Sequence, residues 1–245
     1  LQHWFGEGDL QYRTTKDIDY AVYIGSREEY HKARDYLIEN NGYIETKTNA
    51  FVLITPNNIQ IDILPFGEIQ KDGNVTIDGV GLTSINMEGM KEVYDAGIKN
   101  VQIYPGKFFK VATLPAIVLL KLIAYDDRPE HRQKDSMDIG NIIMNFFNLN
   151  DNLIYDCHSD LFEEDQTLEN IGAIVIGREM AVILKGNTQL KKKINTILHK
   201  HKELSENSAF NRIMASEIHN DIESIIGFLN KMLWGLNNPA NAENI

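Results

Sequence analysis

The chain has 245 residues, 43% of them hydrophobic, which is enough for one large domain or two small ones with a real core. Its net charge of −11 argues against a broad, non-specific grip on nucleic acid, which works through lysine and arginine releasing counterions, but leaves room for a local basic patch. A single cysteine, Cys157, excludes an internal disulfide framework and fits a reducing cytosol, and no apolar run reaches the length of a bilayer, since the run 114–120 is stopped by Lys121.

At the start, Trp4-Phe5-Gly6-Glu7-Gly8-Asp9 reads as a surface turn. Residues 13–24 then read as a turn running into a strand, with Ile18, Tyr20, Val22 and Ile24 as one alternating apolar set. Side chains alternate along a strand, so Asp17 and Asp19 point the same way, about 7 Å apart. Two carboxylates on one face repel each other, and a hard divalent cation makes sense of the pair, because Mg²⁺ takes oxygen donors from one or two carboxylates plus substrate phosphates.

Ser26-x-x-Glu29 reads as a capping box opening a helix over 27–40, with Tyr30, Ala33, Tyr36 and Leu37 as its apolar stripe and Asn40-Asn41-Gly42 as its end. Strands are expected over 43–48, 51–55 and 59–64, the last two joined by a hairpin turn at Pro56-Asn57-Asn58. Asp62 stands near the end of the third. If that strand pairs with the first, three acids share one patch, as a two-metal phosphoryl-transfer site requires. The plainer alternative makes all three solvent-facing. A short edge strand is expected near 75–77, a short helix over 88–96 and a hairpin of 101–104 with 108–112 around Pro105-Gly106.

The pattern turns helical at Thr113, a candidate N-cap with Pro115 in the first turn. The helix over 114–126 is apolar nearly all round, so it is expected to be buried, and Lys121 inside it must snorkel outward or meet an anion. Pro129 is expected to open a helix running to Phe147. Ile139, Ile142, Ile143 and Phe146 form its inner stripe, with Asp135 on that stripe and Asp138 beside it. The economical solution is a charge network of Lys121 with Asp135 or Asp138, whether as a structural ion pair, as a device orienting Lys121 toward a phosphate, or both. Arg128, His131, Arg132 and Lys134 cluster in the connection and suit a triphosphate, an RNA backbone or a solvated helix start.

Further helices are expected over 152–161 and 168–184. An amphipathic helix follows around Leu190, Ile194, Ile197 and Leu198, whose outer lysines 191, 192, 193, 200 and 202 form a solvated face or an RNA contact. One long last helix carries a stripe from Phe210 to Leu233 flanked by His219, and residues 237–245 are a polar tail. Strands first and helices after predict an α+β fold: a mixed β-sheet domain with flanking helices over 1–112, then a helical bundle over 113–236, with the ligand cleft between them.

Arg13-x-Thr15-x-Asp17-Ile18-Asp19, then Ile61-Asp62-Ile63-Leu64, then Lys121 and Lys134-Asp135-x-x-Asp138, resemble the AbiEii/MenT-type nucleotidyltransferases. These are toxins of bacterial toxin–antitoxin systems within the DNA-polymerase-β-like nucleotidyltransferase superfamily. The resemblance implies a nucleotidyltransferase-like sheet domain, an NTP substrate and two Mg²⁺ ions, with Mn²⁺ as an alternative, on Asp17, Asp19 and Asp62. It implies Asp62 as base, Lys121 as the neutraliser of phosphate charge, Arg13, Thr15, Arg128 and Lys134 near the nucleotide phosphates, and Asp138 and Asp135 in support of Lys121. An RNA acceptor such as the tRNA 3′ end, a cognate antitoxin and action in the cytoplasm follow from it in the same way.

One departure stands out: the family's Gly-Gly or Gly-Ser phosphate turn has no counterpart here beyond Gly6 and Gly8, which no Ser or Thr follows. Because the chain starts at Leu1 and not at Met, its true beginning is expected to lie upstream. Two rivals stay open. One is a small-molecule transferase of the aminoglycoside type, which the acidic charge suits; the other is a non-catalytic nucleotide-binding or antitoxin-like protein that keeps the fold.

Overall fold

The computed structural model describes residues 1–8, 17–163 and 166–240. They divide into two compact units, one of residues 17–91 and one of residues 92–240 together with residues 3–8.

The first element is α1 (Gln2–Glu7). It replaces the expected surface turn. Phe5 is buried in the helical core, and the Trp4 indole N–H donates to the Ala112 carbonyl at 2.7 Å. These anchors outweigh the ~1 kcal/mol that Gly6 costs inside a helix.

The sheet unit runs β1 (Asp17–Tyr23), α2 (Arg27–Asn41), β2 (Ile44–Glu45), β3 (Val52–Ile54) and β4 (Gln60–Phe66), with a small ribbon of β5 (Asn74–Thr76) and β6 (Ser84–Asn86). The main sheet has the order β1-β4-β3-β2; β1 and β4 are parallel, and the other neighbours are antiparallel. The β3–β4 turn forms at the expected Pro56-Asn57-Asn58, closed by the Thr55 N–H donating to the Ile59 carbonyl, with Asn58 at φ 59°.

The start of α2 is capped as expected by the Ser26 hydroxyl, which accepts from the Glu29 N–H. The return bond of Glu29 reaches the Gly25 N–H, one residue earlier than in a standard capping box. Gly42 ends the helix at φ 68°, the left-handed conformation that glycine adopts without strain. The inner face of α2 differs from the expected stripe. Tyr36 and Ala33 are exposed, while Arg34 is buried beside Tyr30. An arginine can sit there because its guanidinium meets Glu45 at 3.0 Å and lies over the Tyr30 ring. The core of this unit is Tyr30, Phe51, Leu53, Ile63, Phe66, Val75, Ile77 and Met87. The expected apolar set on β1 is only partly covered: Ile18 and Tyr20 are exposed on this edge strand.

The helical unit begins with α3 (Met90–Ala96) and the hairpin of β7 (Ile98–Tyr104) and β8 (Lys107–Ala112). The change of character at Thr113 therefore falls inside a unit. There α4 (Leu114–Asp127) starts, capped by the Thr113 hydroxyl as expected and buried on nearly every side. Next come α5 (Gln133–Leu149), α6 (Asp151–Cys157), α7 (Leu168–Ile183), α8 (Thr188–Leu204), α9 (Ala209–Glu217) and α10 (Ile222–Asn237).

Three boundaries depart from expectation. Pro129 opens a turn, in which the His131 N–H donates to the Arg128 carbonyl, and α5 starts four residues later; no capping side chain precedes Pro129 to begin a helix there. The helix α6 stops at His158, whose ring is buried between Glu179 and Arg178. The long last helix is two helices. His219 at φ 52° is an exposed residue of the break, and the Asp221 carboxylate caps α10 at the Ser224 N–H. Both halves face the same core, so the apolar period runs through the break and hides it.

Candidate functional site

Asp19 and Asp62 are direct partners in the parallel β1–β4 register, and Asp17 pairs with Gln60 two residues earlier. Partners in register share a sheet face, so Asp17, Asp19 and Asp62 all project from one side, with neighbouring strands about 4.8 Å apart. Asp17 and Asp19 are exposed and Asp62 is half-buried. The Gln60 amide donates to Asp62 Oδ1 at 2.9 Å, and Val52 of β3 is the other register neighbour of Asp62, so a donor and a packed methyl surface fix this carboxylate. Among the described residues, no three His, Cys, Asp or Glu side chains stand close enough together to enclose a metal ion by themselves.

Behind the sheet, the Tyr30 hydroxyl donates to the Ile63 carbonyl at 2.8 Å and ties α2 to β4 one residue past Asp62. Burial pushes the Tyr30 phenol up to about 12, so it remains a neutral donor at physiological pH.

In the helical unit, Lys121 Nζ reaches Asp135 Oδ1 at 2.6 Å and Asp138 Oδ2 at 2.7 Å. Asp135 and Asp138 lie one turn apart on α5 and face α4, so both expected partners are engaged together. Arg132 stands 4.0 Å from Asp135 Oδ2, an oxygen with no hydrogen-bond partner. The two carboxylates are buried and the lysine is one-fifth exposed, so one of its three N–H groups remains beyond the two ion pairs.

A family model described as "Nucleotidyl transferase AbiEii toxin, Type IV TA system" matches residues 1–233, nearly the whole chain. The chain belongs to the AbiEii family. It is therefore a member of a family of nucleotidyltransferase toxins from type IV toxin–antitoxin systems, and this membership implies an antitoxin as partner. No curated protein and no solved structure matches the chain significantly. No helix among the described residues is long and apolar enough to cross a membrane.

In this AbiEii member the remaining expected site residues are Arg13, Thr15, Arg128 and Lys134. Arg13 and Thr15 lie outside the described residues. Arg128 donates to the neighbouring Asp127 at 2.9 Å, and His131 stands 3.6 Å from Glu130, so much of the basic cluster before α5 is neutralised locally. Lys134 is exposed at the start of α5. On α8, Lys200 pairs with Asp126 of α4 at 2.8 Å, while Lys192 is exposed. Sequence reasoning overlooked Gln60, and it named Arg132 only as part of the basic cluster, without its contact to Asp135. Gln60 was open to detection, since it precedes Asp62 by two residues and must share its face.

Proposed function

We propose that this AbiEii member is a magnesium-dependent nucleotidyltransferase that moves a nucleoside monophosphate from an NTP to a hydroxyl of an RNA acceptor, the 3′ end of tRNA in particular. In this reading it acts in the cytoplasm as a growth-inhibiting toxin restrained by its antitoxin. The observation that carries the reading is the register of Asp19 with Asp62, with Asp17 on the same face. The donor set suits a hard cation. All its ligands are oxygen, and Mg²⁺ needs only one or two carboxylates because phosphates and water complete its shell, so a closed protein cage is not required. Mn²⁺ shares this preference for oxygen.

Magnesium bound there supplies charge neutralisation at the triphosphate and at the leaving pyrophosphate. The chain's own residues do the rest. Asp17 and Asp19 would hold the cation and, through it, the triphosphate at β1, with Asp62 completing the ligand set. Asp62, held by Gln60, accepts the proton of the acceptor hydroxyl. That oxygen forms a bond to the α-phosphorus as the bond to the bridging oxygen breaks, and pyrophosphate leaves. Lys121 is assigned to phosphate charge, with Asp135 and Asp138 fixing its ammonium group. Arg13, Thr15, Arg128 and Lys134 are assigned to the outer phosphates.

Incubation with each α-labelled NTP and total tRNA tests the reading. Label is expected on RNA with the wild type and absent with Asp19→Ala. Label on no RNA, or full turnover by Asp19→Ala, overturns it.

A further inference from the structure

The hairpin β7–β8 combines three features. Residues 98–112 contain Lys99, Lys107 and Lys110 and no acid, in a chain of net charge −11. Its tip is apolar yet open to solvent: Ile103 is 56% exposed, Tyr104 73%, Phe108 65% and Phe109 41%. In the register, Phe108 faces Gln102 and Lys110 faces Asn100, so one side of the ribbon sets an aromatic ring, two amides and a cation next to one another. The Lys110 ammonium lies 4.3 Å from the Tyr94 ring centroid and donates to its hydroxyl, which adds a second ring to the edge of this surface.

Single exposed apolar residues are ordinary, but four at one short tip, spread over both sides of the ribbon, form an apolar knob that calls for a partner. Its charge selects among partners. Lys110 shares the side of Phe108 while Lys99 and Lys107 take the other, so two copies meeting through either side would set lysine against lysine with no carboxylate of the ribbon between them, which opposes self-association. A polyanion with flat apolar groups satisfies both features, because lysines take phosphates while aromatic rings stack on bases. Stacking needs unpaired bases, as in sheet-based RNA modules, and a duplex hides its base faces.

We infer that the β7–β8 ribbon is a docking platform for single-stranded RNA, an unpaired stretch of the acceptor. The inference rests on the reading of the acceptor as RNA, and it is tested by binding without NTP.

The probe is a 5′-fluorescein 12-nucleotide RNA, single-stranded or annealed to its complement, titrated with the full chain and followed by anisotropy. The wild type is expected to prefer the single strand. Tyr104→Ala with Phe108→Ala is expected to weaken binding at least about tenfold, the loss expected when a stacked base is released. Phe108→Trp keeps a stacking face and is expected to retain affinity. Lys107→Gln with Lys110→Gln is expected to reduce the salt slope of log K by about 1.4, two phosphate contacts at ~0.7 each. These side chains are exposed, so unchanged melting curves confirm that the variants fold. Ribbon variants that bind as tightly as the wild type overturn the inference, as does preference for the duplex. A shift from dimer to monomer in sedimentation, with RNA affinity intact, overturns it too and assigns the patch to contact between copies. Failure of the transfer reading looks different: the ribbon variants lose RNA while the wild type labels none from any NTP.

Discussion

Asp19 of β1 stands directly across from Asp62 of β4 in a parallel pair, so the two carboxylates leave the sheet on one face. Like charges in facing positions destabilise a sheet by a few tenths to about 1 kcal/mol. In the proposed function a divalent cation would serve both acids and offset this repulsion. Asp19→Asn is therefore expected to leave the apparent melting temperature unchanged or raised in metal-free buffer, while abolishing nucleotidyl transfer. Added Mg²⁺ with NTP is expected to raise the melting temperature of the wild type and to have little effect on that of the variant. Calorimetric scans with and without metal check this independently of turnover; equal shifts in both proteins would remove Asp19 from the ion's ligands.

Lys121 carries a second prediction. It answers two buried carboxylates at 2.6 and 2.7 Å, and Arg132 offers only a long contact to one of them. Removing the ammonium takes from both acids their short ion pairs with Lys121 in the interface of α4 and α5. Lys121→Met is expected to cost about 3 kcal/mol, the lower part of the range for a buried pair that loses one member. Adding Asp135→Asn and Asp138→Asn is expected to recover much of that stability but no activity. Urea unfolding of the single and triple variants measures the first effect, and the transfer assay the second.

How much of this could be read beforehand depends on where the physics is local. The period-two spacing of Asp17 and Asp19 and the Ser26 and Thr113 caps are local signals, and each appears in the fold where the sequence placed it. Lys121 with Asp135 and Asp138 was also legible, because burying a charge in an apolar helix demands a partner. The parallel partnership of β1 with β4 was open only as a condition, since strand order is set by packing across the whole unit. Arg34 went unnamed because its burial depends on Glu45 and Tyr30, and Gly6 was read as part of a turn because its helical conformation depends on the docking of Trp4. Those contacts are distant in sequence and invisible to periodicity.

The α7–α10 crossing gives a third prediction. A Cβ on Gly177 would collide with the Met232 carbonyl oxygen, and one on Gly235 with the Ile174 carbonyl oxygen. Both collisions are with backbone, so no rotamer change relieves them. Gly177→Ala and Gly235→Ala are each expected to cost about 2–3 kcal/mol, the upper range for overpacking. The double variant is expected to lose less than the sum, because the first substitution already parts the two helices. Denaturant titration of the four proteins in the cycle gives the coupling; strict additivity would mean that the two glycines act at separate contacts.

His201 supplies the last prediction. Its ring stacks on Phe210 at 4.5 Å, its Nδ1 lies 2.9 Å from the Ser208 hydroxyl, and Nε2 has no hydrogen-bond partner. Burial lowers the imidazole to about 4, with the neighbouring Lys200 charge acting in the same direction and Asp126 against it. The unfolded chain takes up this proton near 6.5 and the folded chain does not until about 4, so between those values the unfolded state binds more protons and stability falls with pH. The contribution is fully present above about pH 6.5, declines through the window and is flat below about pH 4. A gap of this size amounts to about 3 kcal/mol. His201→Phe keeps the stack and cannot be protonated. The difference in unfolding free energy between the wild type and this variant, measured from pH 7.5 to 4, should shift against the wild type as pH falls and thereby isolate His201 from the carboxylates that titrate alongside it. A difference independent of pH would mean that His201 is protonated in the fold as readily as in the unfolded chain.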